Sequence, residues 1–302
     1  MTSPSPAPKA ALAAALVTVC LWASAFVGIR AAGSSFSPGA LALGRLTLGS
    51  LLLGTLLLTR GWTRPSGRDL GLLCIAGLTW FELYSVVLNE AERSVDAGTA
   101  SMLIMIAPIV VVALAAVFLK ERFTRVFLLG GAVAFAGVLV IGFATSSGSA
   151  TLSGALLCLV AAVASAIGLV AQKPVLARLS ALQVAWTCCT IGALVCLPFA
   201  PALVREVGVA PRAGVAWLLF LGAFPTSVAF TTWAFALARG TAGRVVAMTY
   251  LIPPVTIVMS WLILGEVPGA IALLGGALCL VGVYITRRTP RVDPGAARSS
   301  LQ

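Results

Sequence analysis

Ten apolar runs of about twenty residues, separated by short polar breaks, dominate this chain and leave few folds open to it. They fall near 10–30, 39–59, 69–90, 97–118, 126–145, 153–173, 181–203, 214–237, 243–264 and 269–286. A run of that length, wound as an α-helix, crosses the roughly 30 Å of hydrocarbon in a bilayer. The breaks carry turn and charge signals, among them "RGWTRPSGRD", "KERFTR", "TSSGSATLSG" and "GEVPG". No stretch remains for a separate soluble domain. The expected fold class is all-α and integral to the membrane, with ten transmembrane helices and the lipid bilayer as solvent.

Composition narrows the function classes. Of 302 residues, 60% are hydrophobic and 10% charged, where a soluble domain is nearer half and a quarter. The net charge of +11 comes from Lys and Arg scattered in ones, twos and threes between apolar runs, so no nucleic-acid partner is expected. Cys20, Cys74, Cys158, Cys188, Cys189, Cys196 and Cys279 all lie inside apolar runs without a C-x-x-C and read as small reduced core residues. Histidine is absent, which removes the Ser-His-Asp, Cys-His and H-E-x-x-H arrangements. There is no G-x-x-x-x-G-K-[ST] loop for ATP. A lipid-modifying enzyme would show an interfacial cluster of His, Asp, Arg or Lys, which the short loops do not offer. The chain is expected not to be an enzyme and to need no cofactor and no metal.

The start, "MTSPSPAPK" before an apolar run and "ASA", has the outline of a cleavable signal peptide. The run continues to Ile29, however, and the same "ASA" recurs at 164–166 inside the sixth run, so it reads as helix. With the N-terminus inside, 15 of the 20 Lys and Arg fall in cytoplasmic segments, as the positive-inside bias requires. The expectation is a multi-pass inner (cytoplasmic) membrane protein with both termini cytoplasmic.

Shifted by 145 positions, the chain aligns with itself without a gap from about Gly77 to Val140. Gly77 meets Gly222, Ala97–Gly98 meets Ala242–Gly243, Pro108 meets Pro253, Glu121 meets Glu266, and "LLGGA" at 128–132 recurs at 273–277. Two repeats of five spans follow, 1–145 and 146–302. An odd span count makes the second copy enter from the opposite face, the inverted duplication on which many secondary transporters are built. Pro108 and Pro253, about ten residues into their spans, are expected to kink them, either for packing alone or as cavity wall. Gly130–Gly131 and Gly275–Gly276 should let helices approach closely. Glu121 and Glu266 read as N-terminal caps of spans five and ten, with Pro268 in the first turn of span ten.

The stretches "SPGALALGRLTLGSLLLG", "AGTASMLIMIAPIVVVALAAVFLKERFTRVFLLGGAVAFAGVLVIG", "YLIPPVTIVMSWLILGEVPGAIALLGGALCLVGVYI" and the opening "LWASAFVGIR" together resemble EamA-type permeases of the drug/metabolite transporter superfamily, over roughly 10 to 286. The resemblance implies two inverted five-helix repeats around a central cavity. It implies secondary transport, mostly export of small metabolites, amino acids among them, by proton exchange or facilitated flow. The family pattern touches Trp22, Ser24, Arg45 and the regions of Pro108 and Pro253. Glu82 departs from it, since the family shows a small or apolar residue there.

Glu82 is therefore read on its own. It lies about twelve residues into span three, roughly 18 Å deep, where a bare carboxylate must pair, face water or keep its proton. Glu90, Glu92 and Asp96 are assigned to the outer end of that span and its loop. Arg45 reaches a similar depth from span two. Three arrangements are open: a cavity-facing pair, two groups exposed in turn as cargo and protons pass, or a fixed ion pair that orients helices. Under the second, Glu82→Gln abolishes gradient-driven transport. Ser85, at i+3, shares the Glu82 face, whereas Trp80 and Tyr84 do not. Trp22, Trp233 and Tyr250 are candidates for an aromatic wall, with packing or interface anchoring as the alternative. The expected partner is a small-molecule substrate, and assembly as a homodimer is left open. The lead reading is a secondary transporter exporting a small metabolite such as an amino acid; the alternative is a multidrug permease for cationic compounds.

Overall fold

The computed structural model describes residues 8–94, 97–145, 152–264 and 270–288, and among these there is helix and turn but no strand. Helices α1 (Pro8–Gly33) and α2 (Pro38–Leu58) are followed by a run made of α3 (Gly67–Ala76), a π-helical stretch Gly77–Leu83 and α4 (Tyr84–Ala91). Next come α5 (Ala97–Ile104), α6 (Ala107–Phe118), α7 (Arg125–Thr145), α8 (Leu152–Val175), α9 (Ala181–Val195) and α10 (Ala200–Val209). A second composite run joins α11 (Arg212–Leu221), a π-helical stretch Gly222–Val228 and α12 (Ala229–Arg239). The chain closes with α13 (Ala242–Val246), a 3₁₀ stretch Ala247–Leu251, α14 (Ile252–Leu264) and α15 (Ala270–Arg288).

The polar breaks act as helix starts. Ser66 Oγ accepts from the Asp69 N–H at 3.2 Å while Asp69 Oδ2 accepts from the Ser66 N–H at 2.9 Å, a reciprocal capping box that satisfies two otherwise orphan donors. Arg178 adds an ion pair to Asp69 at 3.0 Å. Ser180 Oγ accepts from the Gln183 N–H at 3.2 Å and caps the start of α9, while the Gln183 side chain turns to the Thr63 backbone.

Among the described residues, five helical runs have the length and hydropathy to cross a bilayer: Lys9–Gly33, Pro38–Leu58, Gly67–Ala91, Leu152–Val175 and Arg212–Arg239. A sixth, Ala181–Val195 with Leu197–Val209, is bent by 54°. The lateral surface is leucine-rich, with Leu51, Leu58, Leu128, Leu129, Leu273 and Leu274 exposed, while Ala23, Ala32, Ala40, Ala42, Ala161 and Ala162 are fully buried. Large apolar side chains outside and small ones between helices suit a lipid solvent, where close backbone packing drives association. This is a multi-pass membrane protein.

The two halves pack reciprocally. Helix α1 lies against α11, α12 and α14, and α8 lies against α3, α4 and α6, which stand 145 positions before those three. The π-helical stretches begin at Gly77 and Gly222, the same 145 positions apart. Helices α7 and α15 meet through glycine: a Cβ added at Gly137 would come within 2.6 Å of the Gly275 carbonyl oxygen and 2.7 Å of the Cys279 nitrogen, both backbone. Gly130 is similarly tight against Thr286, but Gly131 has nothing within 4 Å, so only the first of that pair serves close approach. Gly137→Leu is expected to remove about 1–3 kcal/mol of stability, read as a lower thermal unfolding midpoint in detergent, with Gly131→Leu unchanged.

Two expectations change here. Pro108 and Pro253 do not bend continuous helices; each occupies the second position of a new one, α6 and α14, where a missing N–H costs nothing. Glu121 does not cap α7. Its carboxylate crosses to the other half and accepts from the Ala242 N–H at 2.8 Å and the Gly243 N–H at 3.3 Å, at the positive end of α13. Glu266, Pro268 and Asp96 lie outside the described residues.

Candidate functional site

The long helices enclose a cavity of about 70 Å³ whose wall is drawn from both halves of the chain. Counting about 10–15 Å³ per water-sized occupant, it holds a handful of non-hydrogen atoms. Three pairs of lining residues stand 145 positions apart: Leu88 and Trp233, Ile104 and Thr249, Ala107 and Ile252. Trp22, Trp80, Phe230 and Trp233 form an aromatic cluster in the wall. The Trp22 ring centroid is 4.9 Å from Trp233, 5.6 Å from Phe230 and 5.8 Å from Trp80. The last two meet edge to face, as ring quadrupoles favour.

Among the described residues, one charged side chain stands in this wall. Arg45 is 4% exposed, and its Nε donates to Thr226 Oγ1 at 3.2 Å. Thr226 belongs to the second π-helical stretch and donates its own hydroxyl to the Leu221 carbonyl, five residues back, at 2.8 Å. The wide turn thus fixes the threonine rotamer and leaves an oxygen lone pair for the guanidinium. Arg45 Nη1 has no hydrogen-bond partner among the described residues, and neither has the indole Nε1 of Trp233, which is 0% exposed. Ser165 and Thr249 also line the cavity; their hydroxyls donate to Ala162 and Val246 carbonyls, which leaves their lone pairs as acceptors.

The structure separates two residues that sequence depth brought together. Glu82 lies outside this lining and makes no ion pair with Arg45. It is half-buried on the first π-helical stretch, beside α9 and in the field of Cys196, at the bend before α10. The face of that run that looks into the cavity carries Trp80, Tyr84 and Leu88, spaced by four. Ser85 is buried on the other face, and Ser24 turns its hydroxyl to the Leu21 carbonyl. Tyr250 lines a separate apolar groove with Phe135, while Pro108 borders both spaces; Pro253 borders neither. Of the residues singled out in the sequence, Trp22, Arg45, Trp233 and Pro108 come together.

Residues passed over were Trp80, Tyr84, Ser165, Phe230 and Thr226. The i, i+4 spacing of Trp80, Tyr84 and Leu88 and the recurring "ASA" around Ser165 were the available signals. Glu92 stands in the turn that ends this helical run, as its position at the outer end of span three implies, but its burial was missed: it is 7% exposed, and both its carboxylate oxygens lack partners among the described residues.

The model of the EamA-like transporter family matches residues 9–143 and again 152–288. The chain belongs to this family. It is a transporter of a small-molecule substrate and not an enzyme. Among relatives of this EamA-type transporter, a probable terminal-alkyne amino-acid exporter of Streptantibioticus cattleyicolor is 42% identical over 91% of the chain and 93% of the relative. A probable amino-acid metabolite efflux pump of Salmonella typhimurium is 28% identical over 74% of the chain and 81% of the relative. A solved crystal structure superposes with a TM-score of 0.75 at 18% identity, covering 92% of the chain and 96% of that protein, which shows the fold.

Proposed function

We propose that this transporter exports a small amino acid with a short apolar side chain. The observation that carries this is Arg45: a buried guanidinium with a free donor, set among aromatic rings in a small cavity. A cargo carboxylate meets Arg45 and the Trp233 N–H with charge-assisted hydrogen bonds, which exceed neutral ones in strength. The Ser165 and Thr249 oxygens accept from the cargo ammonium, and Trp22, Trp80 and Phe230 hold its side chain. The names of the two relatives, an amino-acid exporter and an amino-acid metabolite efflux pump, support this cargo class. A cationic drug is disfavoured because the one charged lining residue is itself a cation.

The proposed frame is ten spans in two inverted five-helix repeats, 1–145 and 146–302, in the inner membrane with both termini cytoplasmic. The double family match, the reciprocal packing of α1 and α8 and the in-register π-helical stretches support it. Alternating access between the repeats, driven outward by the cargo's own concentration gradient, then moves the cargo.

The test is flux in proteoliposomes with L-propargylglycine, L-norvaline, pentanoate, n-pentylamine and ethidium. The two amino acids are expected to move and to compete with each other. Ethidium lacks the carboxylate and is expected to stay; pentanoate and n-pentylamine, whose neutral forms cross lipid unaided, are read as competitors, and pentanoate is expected to slow norvaline flux while pentylamine does not. Ethidium flux without norvaline flux overturns the reading in favour of cationic drug efflux.

A further inference from the structure

We propose that Glu92 is a proton-binding site linked to the cavity: it gains a proton when a carboxylate cargo settles on Arg45 and releases it when the cargo leaves. This rests on the carboxylate reading of Arg45 given above.

Glu92 is badly placed for a permanent charge. It caps the C-terminus of α4 through its backbone N–H, the negative end of a helix dipole and the wrong end for a carboxylate. Its side chain is buried and both oxygens are without partners among the described residues. Its neighbours Glu90 and Arg93 are solvent-exposed and approach each other to 4.0 Å, as surface charges do. Asn89, one turn earlier on the same helix, donates its amide to the Pro38 carbonyl at 3.0 Å, and its Oδ1 has no donor among the described residues. Side chains three apart on a helix are neighbours. A protonated Glu92 supplies the O–H that Asn89 Oδ1 lacks, and a deprotonated one cannot.

The groups facing Glu92 are few. Arg30 on α1 and Arg45 on α2 favour its anion, while Tyr84 on its own helix and Cys158 on α8 share its field. Glu82 of the adjoining π-helical stretch lies toward Cys196 instead. Burial pushes the Glu92 carboxyl well above the usual carboxylate range, and the two arginines pull it back only in part. Arg45 is therefore shared. With the cavity empty, its charge opposes protonation of Glu92. A bound carboxylate neutralises that charge and adds an anion, so the site takes one proton from water to form the Glu92 O–H. Linkage is reciprocal: cargo that raises the proton affinity of Glu92 binds more tightly as pH falls.

The experiment uses the full chain in lipid nanodiscs. L-norvaline binding is measured by calorimetry in two buffers of different ionisation heat, across roughly pH 5 to 9. The expected result is uptake of up to about one proton per norvaline and affinity that weakens as pH rises, by at most about tenfold per unit. Glu92→Gln, which keeps size and can donate to Asn89, abolishes the uptake and flattens the pH profile, while Glu90→Gln changes neither. Arg30→Gln removes an exposed cation and shifts the pH midpoint upward by a few tenths of a unit to about one unit, so the linkage is tested even if Glu92→Gln folds poorly. A cargo-free reading comes from the infrared band of a protonated carboxyl, which is expected to titrate in the wild type and to vanish in Glu92→Gln. Proton uptake that persists in Glu92→Gln, an unmoved midpoint in Arg30→Gln, or a band that survives the substitution overturns the proposal. If norvaline does not bind, the function reading fails, and the infrared titration still decides whether Glu92 holds the proton.

Discussion

Arg45→Gln lowers L-norvaline flux in proteoliposomes by about two orders of magnitude or more, with the protein still folded. Losing one partner of a buried charge-assisted contact costs about 2–5 kcal/mol, and each 1.4 kcal/mol is tenfold in affinity. The fold survives because, among the described residues, the Arg45 side chain makes one hydrogen bond, from Nε to Thr226, and Gln removes a desolvated charge along with it. Arg45→Lys is not expected to rescue flux. A lysine ammonium is a single point donor, whereas the guanidinium engages Thr226 through Nε and still presents Nη1 to an anion. Flux within threefold of wild type for Arg45→Gln, alongside an unchanged melting profile, would remove the carboxylate reading.

Trp233 gives the second large effect, and its sign differs between affinity and stability. The side chain is fully buried and its N–H is unpartnered among the described residues, a desolvation cost of about 1–3 kcal/mol carried by the cargo-free protein. Trp233→Phe keeps a ring against Trp22 and deletes the orphan donor. The cargo-free protein is expected to melt at a higher temperature, while norvaline affinity falls about five- to tenfold through loss of a single hydrogen bond. Trp233→Ala instead opens the aromatic cluster and costs about 3–5 kcal/mol of stability. Thermal melts with and without norvaline separate these outcomes. A Phe variant that is less stable and binds as well as wild type would assign Trp233 to packing alone.

The helices were legible because lipid enforces them: an apolar run of span length has no other way to satisfy its backbone. The break "RGWTRPSGRD", which holds Ser66, was readable from its turn and charge signals. The two π-helical stretches were not. A π-turn holds one more residue than an α-turn and re-phases everything after it, and neither "GLTWFEL" nor "GAFPTSV" announces it by periodicity. Glu82 drew attention as an acid deep in a span, yet depth alone does not say which face meets a cavity. Glu92 was assigned to the outer end of span three and its loop because hydropathy ends there, and it does stand in that turn; its burial comes from packing against other helices of the bundle, which hydropathy does not register. Arg45 was singled out from its depth and the family pattern, but the partner that positions it, Thr226, sits 181 residues away and no local pattern joins them. Glu121 likewise read as a cap for the nearest helix start in sequence, when the nearest in space belonged to the other half.

The distribution of side-chain size has a consequence for how this chain tolerates change. In a water-soluble domain, trimming leucine is costly and enlarging a surface alanine is harmless. Here the leucines of α2, α7 and α15 that face outward exchange one apolar contact for another when shortened, since lipid refills the space. The alanines and glycines between helices have no such latitude: one added carbon at Gly137 strikes backbone. Sequence drift in this chain should accumulate on its bulkiest residues and spare its smallest ones.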